Sequence, residues 1–341
     1  MNGMGSHSKM ASSAPATVAI AAHTAPEVRA VYVEVLRGMA EPRFLPDLQG
    51  AERRTELASA RALVCWDWSR ELRNDELGLL SVIPFVQLLS AGADHVRLSD
   101  LPPDTLVASN AGAYAEPMAE HVLAMALALA KRLPQRQAEL SRGEFNQRSR
   151  ARRFAGSVCG VLGLGGIGRA TARLMRALGA RIQAINTTGR TAEAVEFVGT
   201  LADLDRVLES ADVLVISLPL TRETSGLIGR RELELMKPEA ILINVARGAI
   251  VQEAALFEHL RSHPEFCAGL DVWWREPRGH GKFETAFPFF ELRNFLGSPH
   301  NSANVDGIET VAARRAAENV LRHLRGEPVT GLLKRADYEP S

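Results

Sequence analysis

The sequence predicts an α/β protein built on a doubly wound parallel sheet, and three observations carry that expectation. Short apolar runs alternate with longer helical patterns from Thr17 onward. A strand pattern, a Gly-rich turn, a helical pattern and a second strand pattern follow one another within residues 157–186. The chain has 341 residues, 46% of them apolar, enough to bury a sizeable core and to divide into two domains.

In chain order, residues 1–16 are small, polar and Ser-rich, without the basic start and apolar core of a signal peptide, and are expected to form a disordered leader. Apolar runs at 17–22, 62–65 and 85–89 read as strands. Glu116-Pro117 then opens a long Ala/Leu/Met-rich helix to about residue 133, apolar around much of its circumference and so buried on several sides. Its most apolar stretch is about ten residues, against the roughly twenty that a bilayer demands, and no membrane span is expected. Residues 136–153 read as an exposed basic connection, with Arg148, Arg150, Arg152 and Arg153 a solvated face rather than a phosphate site.

The clearest unit follows: strand 157–162, helix 169–178 with Gly179 as its C-cap, and strand 181–186. Further strands are expected at 213–217, 240–244, 267–272 and 295–297, with helices at 201–209, 230–235 and 252–261 between them. A last helix, 306–324, ends before Arg325-Gly326-Glu327-Pro328.

Forty Lys and Arg balance forty Asp and Glu, so no overall field draws the protein to nucleic acid or to a membrane. A small-molecule function is favoured. Cys65, Cys159 and Cys267 are far apart and stand in neither a C-x-x-C pair nor a zinc-type cluster. They are expected to be small core residues in a reduced, cytoplasmic compartment, with no metal.

Gly163, Gly165 and Gly168 form G-x-G-x-x-G between a strand and a helix, with Gly166 and Ile167 inside the turn. The three glycines suit a tight turn, backbone access for a pyrophosphate and close packing of helix on strand, and the helix N-terminus offers N–H groups to phosphate. The second strand of such a unit usually ends in a carboxylate that holds the ribose 2′-hydroxyl, but here it ends in Asn186, Thr187, Thr188, Gly189 and Arg190. A 2′-phosphate would meet no repulsion there, and Arg190 with the two threonine hydroxyls could pair with it. NADP(H) is therefore expected to be preferred, with NAD(H) possible. The alternative is that Arg190 stacks on adenine or points to solvent.

Three polar residues sit where expected strands end, the edge on which open α/β sheets bind ligands. Arg247 lies in Asn244-Val245-Ala246-Arg247-Gly248, Glu276 in Asp271-Val272-Trp273-Trp274-Arg275-Glu276-Pro277, and His300 in Gly297-Ser298-Pro299-His300. Together with Gly163 to Gly168, Leu89-Ser90-Ala91-Gly92-Ala93-Asp94, Ala119-Glu120-His121, Ser217-Leu218-Pro219-Leu220-Thr221 with Thr224, and Gly269-Leu270-Asp271-Val272, these motifs resemble the D-isomer-specific 2-hydroxyacid dehydrogenase family, of the glyoxylate/hydroxypyruvate reductase kind. The likeness runs from about Thr17 to the C-terminal region.

The resemblance implies two Rossmann-like domains with an active-site cleft between them. Residues 17–115 and 301–341 would form a discontinuous substrate domain, and 116–300 the NAD(P)-binding domain. It also implies a homodimer through the helix after Glu116, a small 2-hydroxy or 2-oxo acid as substrate, and Arg247, Glu276 and His300 as catalytic residues. The substrate carboxylate would be held by Arg247 and the backbone of Ala91 and Gly92. Leu218, Pro219, Thr224, Val245, Ala246 and His300 would border the cofactor, and Asp271 would lie near the nicotinamide carboxamide.

The residue types suit that chemistry. Reducing a 2-oxo acid needs a proton at the carbonyl oxygen, and imidazole is well suited to give one near neutral pH, so His300 is the expected general acid. Glu276 would orient the ring, and Arg247 offers a planar, permanently charged fork to a carboxylate. Taken singly each has a bland reading: a loop histidine, a surface carboxylate, a helix-capping cation. Their joint occurrence in motif context carries the assignment. His121, remote in sequence from the strand ends, is expected to be structural.

Trp66, Trp68, Trp273 and Trp274, with Phe283, Phe287, Phe289 and Phe290, are expected to pack a core or a dimer face, the alternative being that they line the site and admit a larger substrate. Formate dehydrogenases on this scaffold pair the histidine with an amide, so Glu276 argues against that activity. Phosphite oxidation, and a nicotinamide-sensing corepressor of a different class, stay open as alternatives.

Overall fold

The computed structural model describes residues 15–338, so the expected leader lies outside the described residues except for its end, where Ala16 already begins a strand. The described residues divide into two compact units. The first comprises 15–90, Val96–Ser109 and Ala313–Leu333, and the second Ala91–His95, Asn110–Ala312 and 334–338.

In the first unit β1 (Ala16–Ile20), α1 (Pro26–Leu36), β2 (Ala40–Phe44), α2 (Gly50–Ser59), β3 (Ala60–Cys65), α3 (Trp68–Glu71), β4 (Phe85–Leu88) and β5 (Leu106–Ala108) form a five-stranded parallel sheet of order β2-β1-β3-β4-β5. β3 and β4 are apolar almost throughout because parallel strands are covered on both faces. α1 starts at Pro26, whose missing N–H costs nothing in the first turn. Trp68 is fully buried and Trp66 packs on the unit's core.

The second unit runs α4 (Ala115–Ala130), α5 (Leu133–Ser141), β6 (Val158–Leu162), α6 (Gly166–Ala177), β7 (Arg181–Ile185), β8 (Phe197–Gly199), α7 (Leu204–Ser210), β9 (Val213–Ile216), α8 (Arg230–Leu235), β10 (Ile241–Asn244), α9 (Glu253–Ser262), β11 (Cys267–Leu270), α10 (Pro277–His280) and β12 (Phe295–Gly297). α11 (Ile308–Leu324) follows, and from Ala313 it packs in the first unit's core. The second sheet is seven-stranded and parallel, of order β12-β11-β10-β9-β6-β7-β8. Its winding reverses between β6 and β9, the switch point at which such sheets take ligands. α4 lies along α6 and against β10 and β11, with Met118, Val122, Met125 and Leu129 buried.

Residues 136–153 are only in part the exposed connection expected of them. α5 occupies the start, a helix with no buried residue and so no apolar face to announce it. Arg148, Arg150 and Arg153 are exposed, but Arg152 donates to the carbonyls of Glu239 and Glu265 and ties this segment to the sheet. All three cysteines are free and buried, and burial pushes the Cys159 thiol up to about 12, the behaviour of core residues. No helix among the described residues is long and apolar enough to cross a membrane.

Candidate active site

The first part of the site is a backbone cradle at the switch point. Gly163 follows β6 at φ +94°, and a Cβ there would stand 2.8 Å from the Leu218 nitrogen after β9. At Gly168 a Cβ would stand 1.9 Å from the Gly163 carbonyl oxygen, so only glycine lets α6 sit this close to β6. Ser217 locks the turn by donating to the same carbonyl at 2.7 Å. Gly165 caps α6 without a side-chain partner, and nothing lies within 4 Å of where its Cβ would be. First-turn N–H groups beside open space suit a pyrophosphate.

Beyond β7, Asn186 folds the next loop on itself, accepting from the N–H groups of Thr188 at 3.0 Å and Gly189 at 2.7 Å and donating to the Arg190 carbonyl at 2.8 Å. Thr187, Thr188 and Arg190 are left exposed around that turn. In the loop after β9 the buried Thr224 hydroxyl donates to the Pro219 carbonyl at 2.7 Å and accepts from the Thr221 N–H at 2.8 Å, so it shapes the loop that carries Leu218 and Pro219.

The second part rises from the ends of β10, β11 and β12, which are neighbours in the sheet. Asn244 is fully buried and makes the turn after β10, accepting from the Ala246 N–H at 3.0 Å and donating to the Arg247 carbonyl at 2.9 Å, with Val245 and Ala246 buried in between. A Cβ on Gly248 would stand 2.3 Å from the Trp273 carbonyl carbon, so Arg247 is held against the segment after β11. There Glu276 accepts from the Trp273 N–H at 2.9 Å with Oε1 and meets His300 Nδ1 at 2.7 Å with Oε2. Burial pushes the Glu276 carboxyl up, but the hydrogen bond and charge of His300, the Trp273 N–H and the charge of Arg247 outweigh it and leave it below the ordinary range. As a carboxylate it obliges Nδ1 to donate, leaving Nε2 as the ring atom for proton exchange.

Arg247 sets Nε 3.0 Å from both carboxylate oxygens of Asp94 and donates through Nη1 to the Ala246 carbonyl at 2.7 Å. A Cβ on Gly92 would stand 2.3 Å from Nη2, so glycine there lets the guanidinium approach the Ala91–Gly92 backbone. Burial pushes the Asp94 carboxyl up, yet the charge and hydrogen bond of Arg247 bring it below its usual range. Half-buried Tyr338 lies within electrostatic reach of Asp94 and Arg247.

Asp271 is fully buried, and its carboxylate accepts from Ser298 Oγ at 2.6 Å and from the N–H groups of Asn301 and Ser302 at 3.0 Å each. It therefore holds the loop bearing His300, an engagement that the resemblance, which would put Asp271 near the nicotinamide carboxamide, did not imply. His121, remote in sequence from the strand ends and expected to be structural, reaches them in the fold: its Nε2 lies 2.9 Å from Ser298 Oγ, because α4 runs across the sheet beside β11 and β12. The tryptophans pack: the Trp273 indole N–H donates to the Ser298 carbonyl at 2.9 Å, and Trp274 donates to the Val251 carbonyl at 2.6 Å and stacks on Phe289. Asp94, Asn244, Ser217 and Ser298 were not singled out from the sequence; the one available signal was a carboxylate two residues after a glycine in the motif holding Gly92.

The family model described as D-isomer specific 2-hydroxyacid dehydrogenase, NAD binding domain, matches residues 123–302. A D-3-phosphoglycerate dehydrogenase of Archaeoglobus fulgidus is 31% identical over 252 residues, which are 73% of this chain and 47% of that protein. The chain thus spans about half the length of that relative. A glyoxylate reductase of Thermococcus litoralis is 29% identical over 262 residues, 73% of this chain and 77% of that one. Among solved structures, a D-isomer specific 2-hydroxyacid dehydrogenase from Xanthobacter autotrophicus Py2, in complex with NADPH and MES, aligns with a TM-score of 0.77 and 28% identity over 95% of this chain and 100% of that one. With the family model matching more than half of its length and the two parallel sheets in place, the chain belongs to the D-isomer-specific 2-hydroxyacid dehydrogenase family.

Proposed function

We propose that the chain reduces small 2-oxo acids of the glyoxylate or hydroxypyruvate type, reversibly and with NADP(H) preferred over NAD(H), to D-2-hydroxy acids. The observation that carries this reading is the 2.7 Å His300–Glu276 pair with Arg247 at neighbouring strand ends, on the sheet whose switch point bears the glycine cradle. Gly163, Gly165 and the first turn of α6 would hold the pyrophosphate, and the nicotinamide, when bound, supplies or takes up the hydride. Arg247 takes the substrate carboxylate beside the Ala91–Gly92 backbone, since a planar guanidinium matches a carboxylate in geometry and charge. His300 gives the proton to the carbonyl oxygen from Nε2 while Glu276 holds Nδ1 and balances the imidazolium charge. The pair works as one coupled unit.

The absence of a carboxylate from residues 186–190, with Arg190 exposed on that turn, supports the NADP(H) preference. A homodimer through α4, the helix after Glu116, is the arrangement we propose; the exposed side chains of Leu133, Leu140 and Phe145, just beyond its end, support it, and sedimentation of the purified protein tests it. Buried thiols suit a reducing cytoplasm. The deciding experiment for the reaction is a panel of glyoxylate, hydroxypyruvate, pyruvate and bulkier 2-oxo acids, each with NADPH and NADH. Consumption of NADPH at least about tenfold more efficiently than NADH with one of the small acids is expected, a difference of one charge-assisted contact. Equal efficiency with the two cofactors removes the preference, and no turnover with any 2-oxo acid removes the reaction.

A further inference from the structure

The backbone carrying His300 adopts φ +52°, a left-handed conformation that residues other than glycine disfavour. Such a conformation persists where the surroundings over-determine it, and here both flanks of His300 are pinned by groups outside the Glu276 contact. On one side Ser298 donates from Oγ to Asp271 at 2.6 Å, and its carbonyl accepts from the Trp273 indole at 2.9 Å. On the other, Asn301 and Ser302 donate their N–H groups to the same carboxylate at 3.0 Å each.

The direction of the chain follows from counting protons. A serine hydroxyl has one, and the carboxylate, already accepting two backbone N–H groups, takes it. The 2.9 Å contact between Ser298 Oγ and His121 Nε2 must then run from the imidazole N–H to the serine oxygen. His121 donates to Ser298, Ser298 donates to Asp271, and Asp271 gathers the two residues after His300. Glu276 fixes the orientation of the ring, whereas this chain fixes the backbone on which the ring stands.

We infer that Ser298, held between His121 and Asp271, is a positioning residue that acts through His300, setting the loop so that Nε2 meets the substrate carbonyl while Nδ1 stays on Glu276. This inference rests on the proposed role of His300 in 2-oxo acid reduction. A purely structural role for Ser298 would alter stability and leave turnover of the folded enzyme alone. A positioning role falls on the chemical step and spares cofactor binding.

The test uses the full chain as Ser298→Ala and Ser298→Thr, with His300→Ala as reference. Steady-state turnover is measured with NADPH and the best 2-oxo acid, and NADPH affinity by fluorescence. Ser298→Ala is expected to lower kcat about tenfold, with KM and the NADPH Kd within about twofold, and Ser298→Thr, which keeps the hydroxyl, to recover most of the loss. Wild-type kcat in Ser298→Ala, or a threonine variant as slow as the alanine one, overturns the inference. If His300→Ala itself keeps wild-type turnover, the underlying reading of the reaction fails instead.

Discussion

At the scale of single residues, the site depends on how Arg247 is held as much as on its charge. Its Nε edge is engaged by Asp94 at 3.0 Å to both oxygens, and this pair fixes the plane of the guanidinium that we propose receives the substrate carboxylate. Asp94→Asn keeps the shape and removes the charge, so the fork loses its orientation without leaving the site. We expect KM for the 2-oxo acid to rise about tenfold with a smaller fall in kcat, an asymmetry that marks lost substrate binding; an effect confined to cofactor KM would contradict it. The depressed pKa of Asp94 keeps the pair intact above the ordinary carboxylate range and breaks it only as pH falls through that lowered value. That Arg247, Glu276 and His300 stand at neighbouring strand ends, with Glu276 and His300 in contact, could be expected from the sequence because each lies in its own motif after a strand. Asp94 stands in a motif as well, but its role does not show there, because its partner is 153 residues away and only folding creates the contact.

At the scale of elements, periodicity exposed what is buried and hid what is not. β6, β9 and β10 are buried throughout and read as apolar runs, broken only by Asn244 at the end of β10. β5 and β8 are three-residue strands at sheet edges and give almost no pattern. α5 buries no residue, so its helical period had no apolar face to display. α6 begins at Gly166, earlier than the pattern implied, because Gly166 and Gly168 occupy a first turn pressed against Gly112 and the Gly163 carbonyl. The loop after β7 is an element of the same kind, set by Asn186 rather than by apolar residues. Its exposed Arg190 is the group proposed above to meet a 2′-phosphate, which NADH lacks. Arg190→Ala should therefore raise KM for NADPH about tenfold, the loss of one charge-assisted contact, and leave KM for NADH within about twofold. Equal changes with both cofactors would assign Arg190 to the adenine instead.

At the scale of the whole molecule, each unit encloses a histidine whose pKa its surroundings lower, which makes the fold sensitive to acid. In the first unit His323 stacks on Phe85 at 4.5 Å, and burial, with the charge of Arg61, pushes its pKa down. In the second, His259 on α9 is buried beside Phe266 and stacks on His263 at 4.1 Å, and its Nε2 has no hydrogen-bond partner among the described residues. Burial, and then the nearby His263, lower its pKa from 6.5 to about 4. The unfolded chain therefore binds a proton at His259 near pH 6.5, whereas the folded chain resists until about pH 4. The unfolded state binds more protons in that window, so stability is full above it and falls as pH falls through it. At pH 5 the loss from this one group is roughly 2 kcal/mol, at about 1.4 kcal/mol for each unit of pH. The lowered carboxyls, such as Glu76 in its buried pair with Arg53, keep their contribution until pH drops below the ordinary carboxylate range, so the histidines act first. His259→Phe keeps the stack and deletes the proton site. Denaturant unfolding at pH 7 and pH 5 should then show wild type losing roughly 2 kcal/mol more than the variant across that interval. Equal losses in the two proteins would mean that His259 titrates in the folded chain much as it does in the unfolded one, and the acid sensitivity of the second unit would have to lie elsewhere.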